Sequence, residues 1–171
     1  MDSVTDARGN TTLIGFDGNN RQVSVTDTLQ NTSRTFYDSV GNVDYTENAR
    51  GFRTYFEYDA VNRRTAVRDA LGNRTETNYD ANSNTTEVTS KDSAGITLSK
   101  STFGYNELDW QVSSTQWKWD YETGSVETAV AVSTISIHNA DGQVIETIDA
   151  LGNVSKVNYD ANHRAVYTED A

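Results

Sequence analysis

The feature that most constrains this chain is a repeat. An aromatic residue followed by Asp or Asn recurs as Phe16-Asp17, Tyr37-Asp38, Tyr58-Asp59, Tyr79-Asp80, Tyr105-Asn106, His138-Asn139 and Tyr159-Asp160, at spacings of 21, 21, 21, 26, 33 and 21 residues. His138 fills the aromatic position of its unit. A second marker precedes the pair where the period is undisturbed: Asp6-Ala7-Arg8-Gly9-Asn10, Asn48-Ala49-Arg50-Gly51, Asp69-Ala70-Leu71-Gly72-Asn73 and Asp149-Ala150-Leu151-Gly152-Asn153. A chain built this way adds like units side by side, so its 171 residues do not by themselves set a domain count.

Both markers have turn chemistry. Asp or Asn bonds its own downstream backbone, and Gly9, Gly51, Gly72 and Gly152 supply the positive φ that tight connections demand. The segments between them are rich in Thr, Val, Tyr and Phe and alternate with period two, as in Thr54, Phe56 and Tyr58 against Tyr55 and Glu57. Return segments place apolar residues six or eight positions after the turn Asp or Asn: Val23 and Val25, Val67, Val88, Val112, Ile145 and Val166. The unit carrying Asp44 and Thr46 departs from that rule. Proline is absent, which suits strands that must donate every ladder hydrogen bond.

The irregular spacings test the hairpin reading, because paired strands can lengthen only together. The strand from Asp80 to Asp92 gains two residues and its partner from Gly95 to Tyr105 gains three; Asn106 to Asp120 gains four and Gly124 to His138 gains seven. Trp110 to Trp119 and Val126 to Ile137 are thus read as long partner strands around a turn near Tyr121 to Gly124. The fold class expected is all-β: antiparallel hairpin repeats of 21 residues forming a wide, coiled meander sheet. Residues 1–171 form a single array of about seven hairpins, irregular over about 90–138. Both termini fall inside the repeat phase, so the array is expected to be cut from a longer repeat protein. Its open edge strands would permit edge-to-edge self-association.

Tyr58-Asp59-Ala60-Val61-Asn62-Arg63 and Tyr159-Asp160-Ala161-Asn162-His163-Arg164, recurring among Asp-x-x-Gly-Asn turns, resemble the YD-repeat, or Rhs-repeat, family, and the resemblance covers nearly the whole chain. Members form long spiralling β-sheets that close into hollow shells, in bacterial toxin complexes, polymorphic Rhs toxins and the extracellular teneurins. The resemblance implies a stretch of wall in a secreted or cell-surface bacterial shell, with the rest of the parent protein and an encapsulated polypeptide as partners. The repeat positions carried by it are Tyr58, Asp59 and Arg63 and Tyr159, Asp160 and Arg164. The family's proline-containing self-cleavage core has no counterpart in a chain without proline.

Composition narrows the function classes. Apolar residues make up 35% of the chain and mean hydropathy is -0.68, so a thick dry core is not expected. A net charge of -11 repels phosphate backbones, which argues against nucleic acid. No apolar run reaches the roughly 20 residues that cross a bilayer, and Met1 to Asp6 lacks the regions of a signal peptide. Without Cys, and with His138 and His163 as the only histidines, thiolate chemistry is excluded and a transition-metal site disfavoured. No nucleophile, phosphate-loop or metal motif stands out, so neither catalysis nor a cofactor is expected. The Asp residues of the aromatic pairs are read as turn formers in preference to calcium ligands.

Two aromatic groups remain as candidate contacts. Phe16, Tyr37, Tyr58, Tyr79, Tyr105 and Tyr159 form a register-matched row, read chiefly as packing, with sugar stacking as the alternative. Trp110, Trp117, Trp119 and Tyr121 cluster on the irregular hairpin, as a partner or carbohydrate contact or as packing against a neighbour. A cell-surface module binding carbohydrate or protein is therefore the alternative function. Sequons at Asn10, Asn31, Asn73, Asn84 and Asn153 follow from turn Asn meeting Thr- or Ser-containing strands and are read as compositional.

Overall fold

The computed structural model describes residues 2–117 and 131–170. These residues form fifteen strands, ordered in one sheet in chain sequence without a crossover. No helix occurs among them. The chain divides into two compact units, Met1–Arg74 and Thr75–Ala171.

The first unit holds β1 (Asp2–Thr5), β2 (Thr11–Phe16), β3 (Gln22–Thr26), β4 (Thr32–Tyr37), β5 (Val43–Glu47), β6 (Arg53–Tyr58) and β7 (Arg64–Arg68). β8 (Arg74–Tyr79) begins on its last residue. The second unit continues with β9 (Thr85–Lys91), β10 (Thr97–Tyr105), β11 (Gln111–Trp117), β12 (Ala131–His138), β13 (Val144–Ile148), β14 (Val154–Tyr159) and β15 (Ala165–Asp170). The antiparallel meander expected from the repeat is the observed architecture, and the lengthened strands pair as the spacing requires. β9 meets β10 from Lys91 opposite Thr97 to Glu87 opposite Thr102, and β11 meets β12 from Ser113 opposite Ile135 to Trp117 opposite Ala131. The turn expected near Tyr121 to Gly124 lies outside the described residues.

Register explains why apolar residues fall both six and eight positions past the turn. At the aromatic-Asp end, Phe16 pairs with Gln22 but Gly15 pairs with Ser24, so one residue, Val23, is left over as a β-bulge. The same slip follows Tyr37, Tyr58, Tyr105, His138 and Tyr159. A bulge reverses the in-out parity of the strand beyond it. Val25 consequently shares a face with Ile14, and Val67 with Phe56. The opposite ends, such as Thr26 against Thr32 and Glu47 against Arg53, close without a bulge. The departing unit is explained by the same rule: Thr46 lies opposite Thr35 while Tyr45 turns to the other face, opposite Phe36 and Tyr55.

Among the described residues no second layer covers the sheet. Ala66, at 3% exposure, is the only hydrophobic residue that is buried among the described ones, and no large side chain is fully buried. Stabilisation therefore comes from the ladder and from cross-strand pairs, each contributing about 0.2–1 kcal/mol, more than from a dry interior.

The turns supply the remaining order. Every positive-φ residue among those described is the fourth of a five-residue turn, and in six turns it is not glycine: Asn20, Gln30, Asn62, Ser83, Asp109 and His163. Gln30 is the least suited, since the left-handed region penalises Cβ and Gln lacks the short local hydrogen bonding of Asn or Asp. Replacing it, Gln30→Gly, is expected to raise stability by up to about 1 kcal/mol. Gly51→Ala is expected to cost about 1 kcal/mol, the space around Gly51 being open so that only backbone strain is charged. Urea midpoints of the two variants against the parent chain test both signs.

Candidate functional site

Thirteen described turns share one hydrogen-bond pattern, and it is the chemistry that the recurring Asp was read to supply. In the turn from Asp59 to Arg63, the Asp59 N–H donates to the Arg63 carbonyl at 2.9 Å and the Asn62 N–H to the Asp59 carbonyl at 3.0 Å. One carboxylate oxygen, Asp59 Oδ1, then accepts from the N–H groups of Val61 and Arg63 at 3.0 and 2.9 Å. Its second oxygen takes the Arg63 Nε at 2.7 Å. Asp17 with Arg21 and Asp160 with Arg164 repeat this at 2.7 and 2.8 Å.

Where the fifth residue is Asn, its side-chain amide takes the place of the guanidinium, as Asn10 on Asp6 at 2.9 Å and Asn153 on Asp149 at 2.8 Å. Asn10, Asn31, Asn73, Asn84 and Asn153, the sequon residues, all hold their turn carboxylate in this way. One turn escaped the sequence reading: Asp27-Thr28-Leu29-Gln30-Asn31 has no Gly, and only the Asp and Asn four residues apart signal it.

The aromatic row has a second task beyond packing. Tyr37 donates its hydroxyl to the Gln22 carbonyl, Tyr105 to that of Thr85 and Tyr159 to that of Val144, each at 3.0 Å. The acceptor is always five residues past the Asp or Asn that opens the preceding turn of the row, so the hydroxyl ties one hairpin to the last. Consecutive tyrosines of this row sit two strand spacings apart, roughly 10 Å, too far for their rings to touch, and the tie instead reaches the strand between them. Arg21 lies over the Tyr37 ring at 4.3 Å while holding Asp17, so one guanidinium serves both contacts. Phe16, at the head of the row, is 40% exposed. Tyr58 closes β6 opposite Arg64, and Tyr79 closes β8 ahead of Asp80, whose Oδ1 takes the Asn82 and Asn84 amides.

The second unit exchanges the roles. Asn106 and Asn139 begin its central turns, and neither is followed four residues later by Arg: Trp110 and Gln143 stand there. Trp110 packs against His138, with ring centroids 5.6 Å apart, and lies so close over Gly142 that a Cβ there would meet the indole at 3.0 Å. Trp110 is thus a packing residue between hairpins, away from Trp117. Trp117 is half-buried at the end of β11, and its indole Nε1 is buried with no hydrogen-bond partner among the described residues. Trp119 and Tyr121 lie outside the described residues.

On the face opposite the row, the first unit carries a cluster that pattern reading did not single out. Phe36 stacks on Tyr45 with centroids 4.2 Å apart, and Tyr45 meets Tyr55 at 5.4 Å. Arg53 lies over Tyr45 at 5.0 Å and Arg68 over Tyr55 at 4.6 Å. Glu47 receives Arg53 Nε at 2.9 Å and Arg34 Nη1 at 3.3 Å. Tyr45 stands seven positions past Asp38, between the positions six and eight past the turn at which apolar residues recur.

Two hollows occupy equivalent places in the repeat. One of about 350 Å³ lies among Asp17, Arg21, Val23 and Tyr37, and one of about 490 Å³ among Asn139, Gln143, Ile145, Tyr159 and His163. Among the described residues, no group of three or more His, Cys, Asp and Glu is placed to hold a metal ion.

The turn carboxylates are acidified. Backbone donation from the fifth residue, then its guanidinium, holds Asp17 and Asp59 below the ordinary carboxylate value. The Asn side-chain amide does the same for Asp6, Asp27, Asp69 and Asp149. A folded pKa below the unfolded one gives stability that is complete above the unfolded value and is lost as pH falls through the folded one. The urea midpoint is expected to hold from neutrality to about pH 5 and to decline below about pH 4, where free Asp protonates. A midpoint that rises on acidification would contradict the carboxylate pattern. In addition, Asp59→Ala is expected to lower the urea midpoint, leaving two N–H donors without their acceptor. Asp59→Asn should lower it by less than half as much, because Asn48, Asn106 and Asn139 show the amide oxygen filling the same role.

Comparison with known proteins agrees with this geometry. Residues 58–94 match the family model described as RHS Repeat. No curated protein matches the chain. Among solved structures, a Tc holotoxin pore of Photorhabdus luminescens bearing a mutation in TccC3 aligns over 95% of this chain and 9% of that one, with TM-score 0.77 and 13% identity. A crystal structure of TcdB2-TccC3 without its hypervariable C-terminal region aligns over 99% of this chain and 11% of that one, with TM-score 0.62 and 15% identity. TcdB2-TccC3-Cdc42 aligns over the same shares with TM-score 0.59 and 16% identity. At such identities the likeness is one of fold, and the chain spans about a tenth of the length of those it matches.

Proposed function

We propose that this chain, an array of YD/Rhs repeats, serves as a non-catalytic stretch of wall in a large secreted or surface β-shell that encloses another polypeptide. The observation that carries the reading is a sheet whose described strands follow one another without crossover, with no covering layer among the described residues. Such a sheet extends by whole hairpins, so it can be made as wide as an enclosure requires. The fold likeness to TccC3-containing toxin structures supports the same role, in which the partners are the remaining repeats of the parent protein and the enclosed chain.

Negative-stain or cryo-electron microscopy of the full-length parent protein is expected to reveal a hollow particle, and an internal polypeptide should resist added protease until the particle is unfolded. A solid or rod-like particle, or cleavage of that polypeptide at the rate of the free chain, would remove the proposal.

A second reading, a carbohydrate-binding surface module, is favoured by one observation. The hollow of about 490 Å³ beside Tyr159 is lined by amide and carboxylate groups, and Gln143 stands where Arg21 covers the equivalent ring. A glycan array probed with the chain and with Tyr159→Ala and Trp117→Ala variants tests it: binding lost in either variant supports the module, and no binding by the parent chain withdraws it.

A further inference from the structure

The two units differ sharply in charge. Residues 1–74 contain nine Arg, no Lys and ten Asp and Glu, for a net charge of -1, whereas residues 75–171 contain one Arg, four Lys and fifteen Asp and Glu, for -10. Most of the first unit's carboxylates are occupied in turns, with Asp6, Asp17, Asp27, Asp38, Asp59 and Asp69 each accepting two or more N–H groups. The strand arginines are arranged otherwise. Arg34, Arg53 and Arg68 share the face that carries Phe36, Tyr45 and Tyr55, opposite the tyrosine row.

The depth of the charges on this face decides what it presents. The Glu47 side chain is 15% exposed, whereas its two partners, Arg34 and Arg53, are 52% and 47% exposed. The carboxylate is therefore the floor and the guanidinium groups are the outer layer. Arg34 uses Nη1 on Glu47 and Arg53 uses Nε, and a guanidinium has five N–H donors in a fork that matches a carboxylate. Arg68, over the Tyr55 ring, adds a third cation one strand beyond Arg53.

We propose that this face of the first unit binds an acidic, extended segment of a partner polypeptide. Charge complementarity selects that occupant: Arg34, Arg53 and Arg68 stand outward around the shielded Glu47, and the one exposed carboxylate beside them, Glu57, is held by Arg74, on a protein whose charge elsewhere is strongly negative. The spacing suits an extended chain as well. Arg34 and Arg53 lie on strands two spacings apart, about 10 Å, and same-side residues of an extended peptide recur about every 7 Å. The net charge of the whole chain does not override this, because charges more than about 8 Å away are largely screened at physiological ionic strength. Stacked rings between the cations give the peptide's methylene groups an apolar bed. The proposal stands whether or not the sheet belongs to a shell.

The test is fluorescence anisotropy with the full chain and two labelled disordered peptides of equal length, one alternating Glu and Ser and the other Lys and Ser. The Glu peptide is expected to bind and the Lys peptide to bind at least about tenfold more weakly. The Arg53→Gln, Arg68→Gln double variant should weaken the Glu peptide by about threefold to tenfold, and Arg68→Gln alone by less. Arg164→Gln, on a turn of the second unit, should leave it unchanged. Added salt should weaken binding by the parent chain. Equal binding of both peptides, salt-insensitive binding, or full binding by Arg68→Gln and the double variant would overturn the proposal. So would tighter binding of a single-stranded oligonucleotide of matched length, which would mean that anionic charge density is read and not carboxylates.

Discussion

A single acceptor oxygen organises this molecule. In each described turn one Asp or Asn side-chain oxygen takes the N–H groups two and four residues ahead, while the fourth residue crosses into positive φ. The local pattern satisfies donors that would otherwise face solvent at a reversal and sets the angle at which the chain re-enters the ladder. Because the next strand can start only once the turn has closed, the spacing of turn formers dictates strand length. Strands of five and six residues recur wherever the period is regular, and β10 reaches nine where it is stretched.

The second organising element acts between hairpins. A sheet of one layer gives side chains no opposing surface, so neighbours along the sheet must satisfy one another. The tyrosine hydroxyls do this by reaching back to a carbonyl of the previous hairpin, and Arg21 does it by holding its own turn while covering the next ring. Asn42 donates its side-chain amide to Asn62 Oδ1, in the next turn at the same sheet edge, at 2.9 Å, and Asn82 and Asn84 donate theirs to Asp109 at 2.8 and 2.7 Å. These links join consecutive units and need no partner far away in sequence. The swap to Trp110 and His138 changes the chemistry of the link from cation on ring to ring on ring, yet keeps its position.

Much of this was legible in the residues. Turn formers at fixed offsets announce hairpins, and matched lengthening on both sides of a turn identifies partners, which is why β9 with β10 and β11 with β12 follow from spacing alone. Legibility failed where parity failed. The bulge leaves the residues six and eight past the turn on a strand whose parity it has reset, and Tyr45, seven past Asp38, went unread, and with it the Phe36, Tyr45 and Tyr55 stack and the arginines around it. The roles of Arg21 and Arg63 are visible only once the turn is closed, because the side chain four residues on reaches the second carboxylate oxygen in space. Trp110 reads as part of a tryptophan cluster by composition, but the turn places it over Gly142 and beside His138. Asp27 was hidden because Gln30 holds the position that Gly holds in sister turns.

The scarcity of dry interior reaches beyond mechanical strength. Heat capacity of unfolding rises with newly hydrated apolar area and falls with newly hydrated polar area. A sheet that buries Ala66 completely and its other face-packed apolar side chains only in part gains a smaller increment per residue from the first term while its peptide ladder contributes fully to the second. The free-energy curve against temperature is correspondingly shallow, a broad plateau in place of a narrow dome, and such a chain keeps similar cohesion in the cold and in the heat.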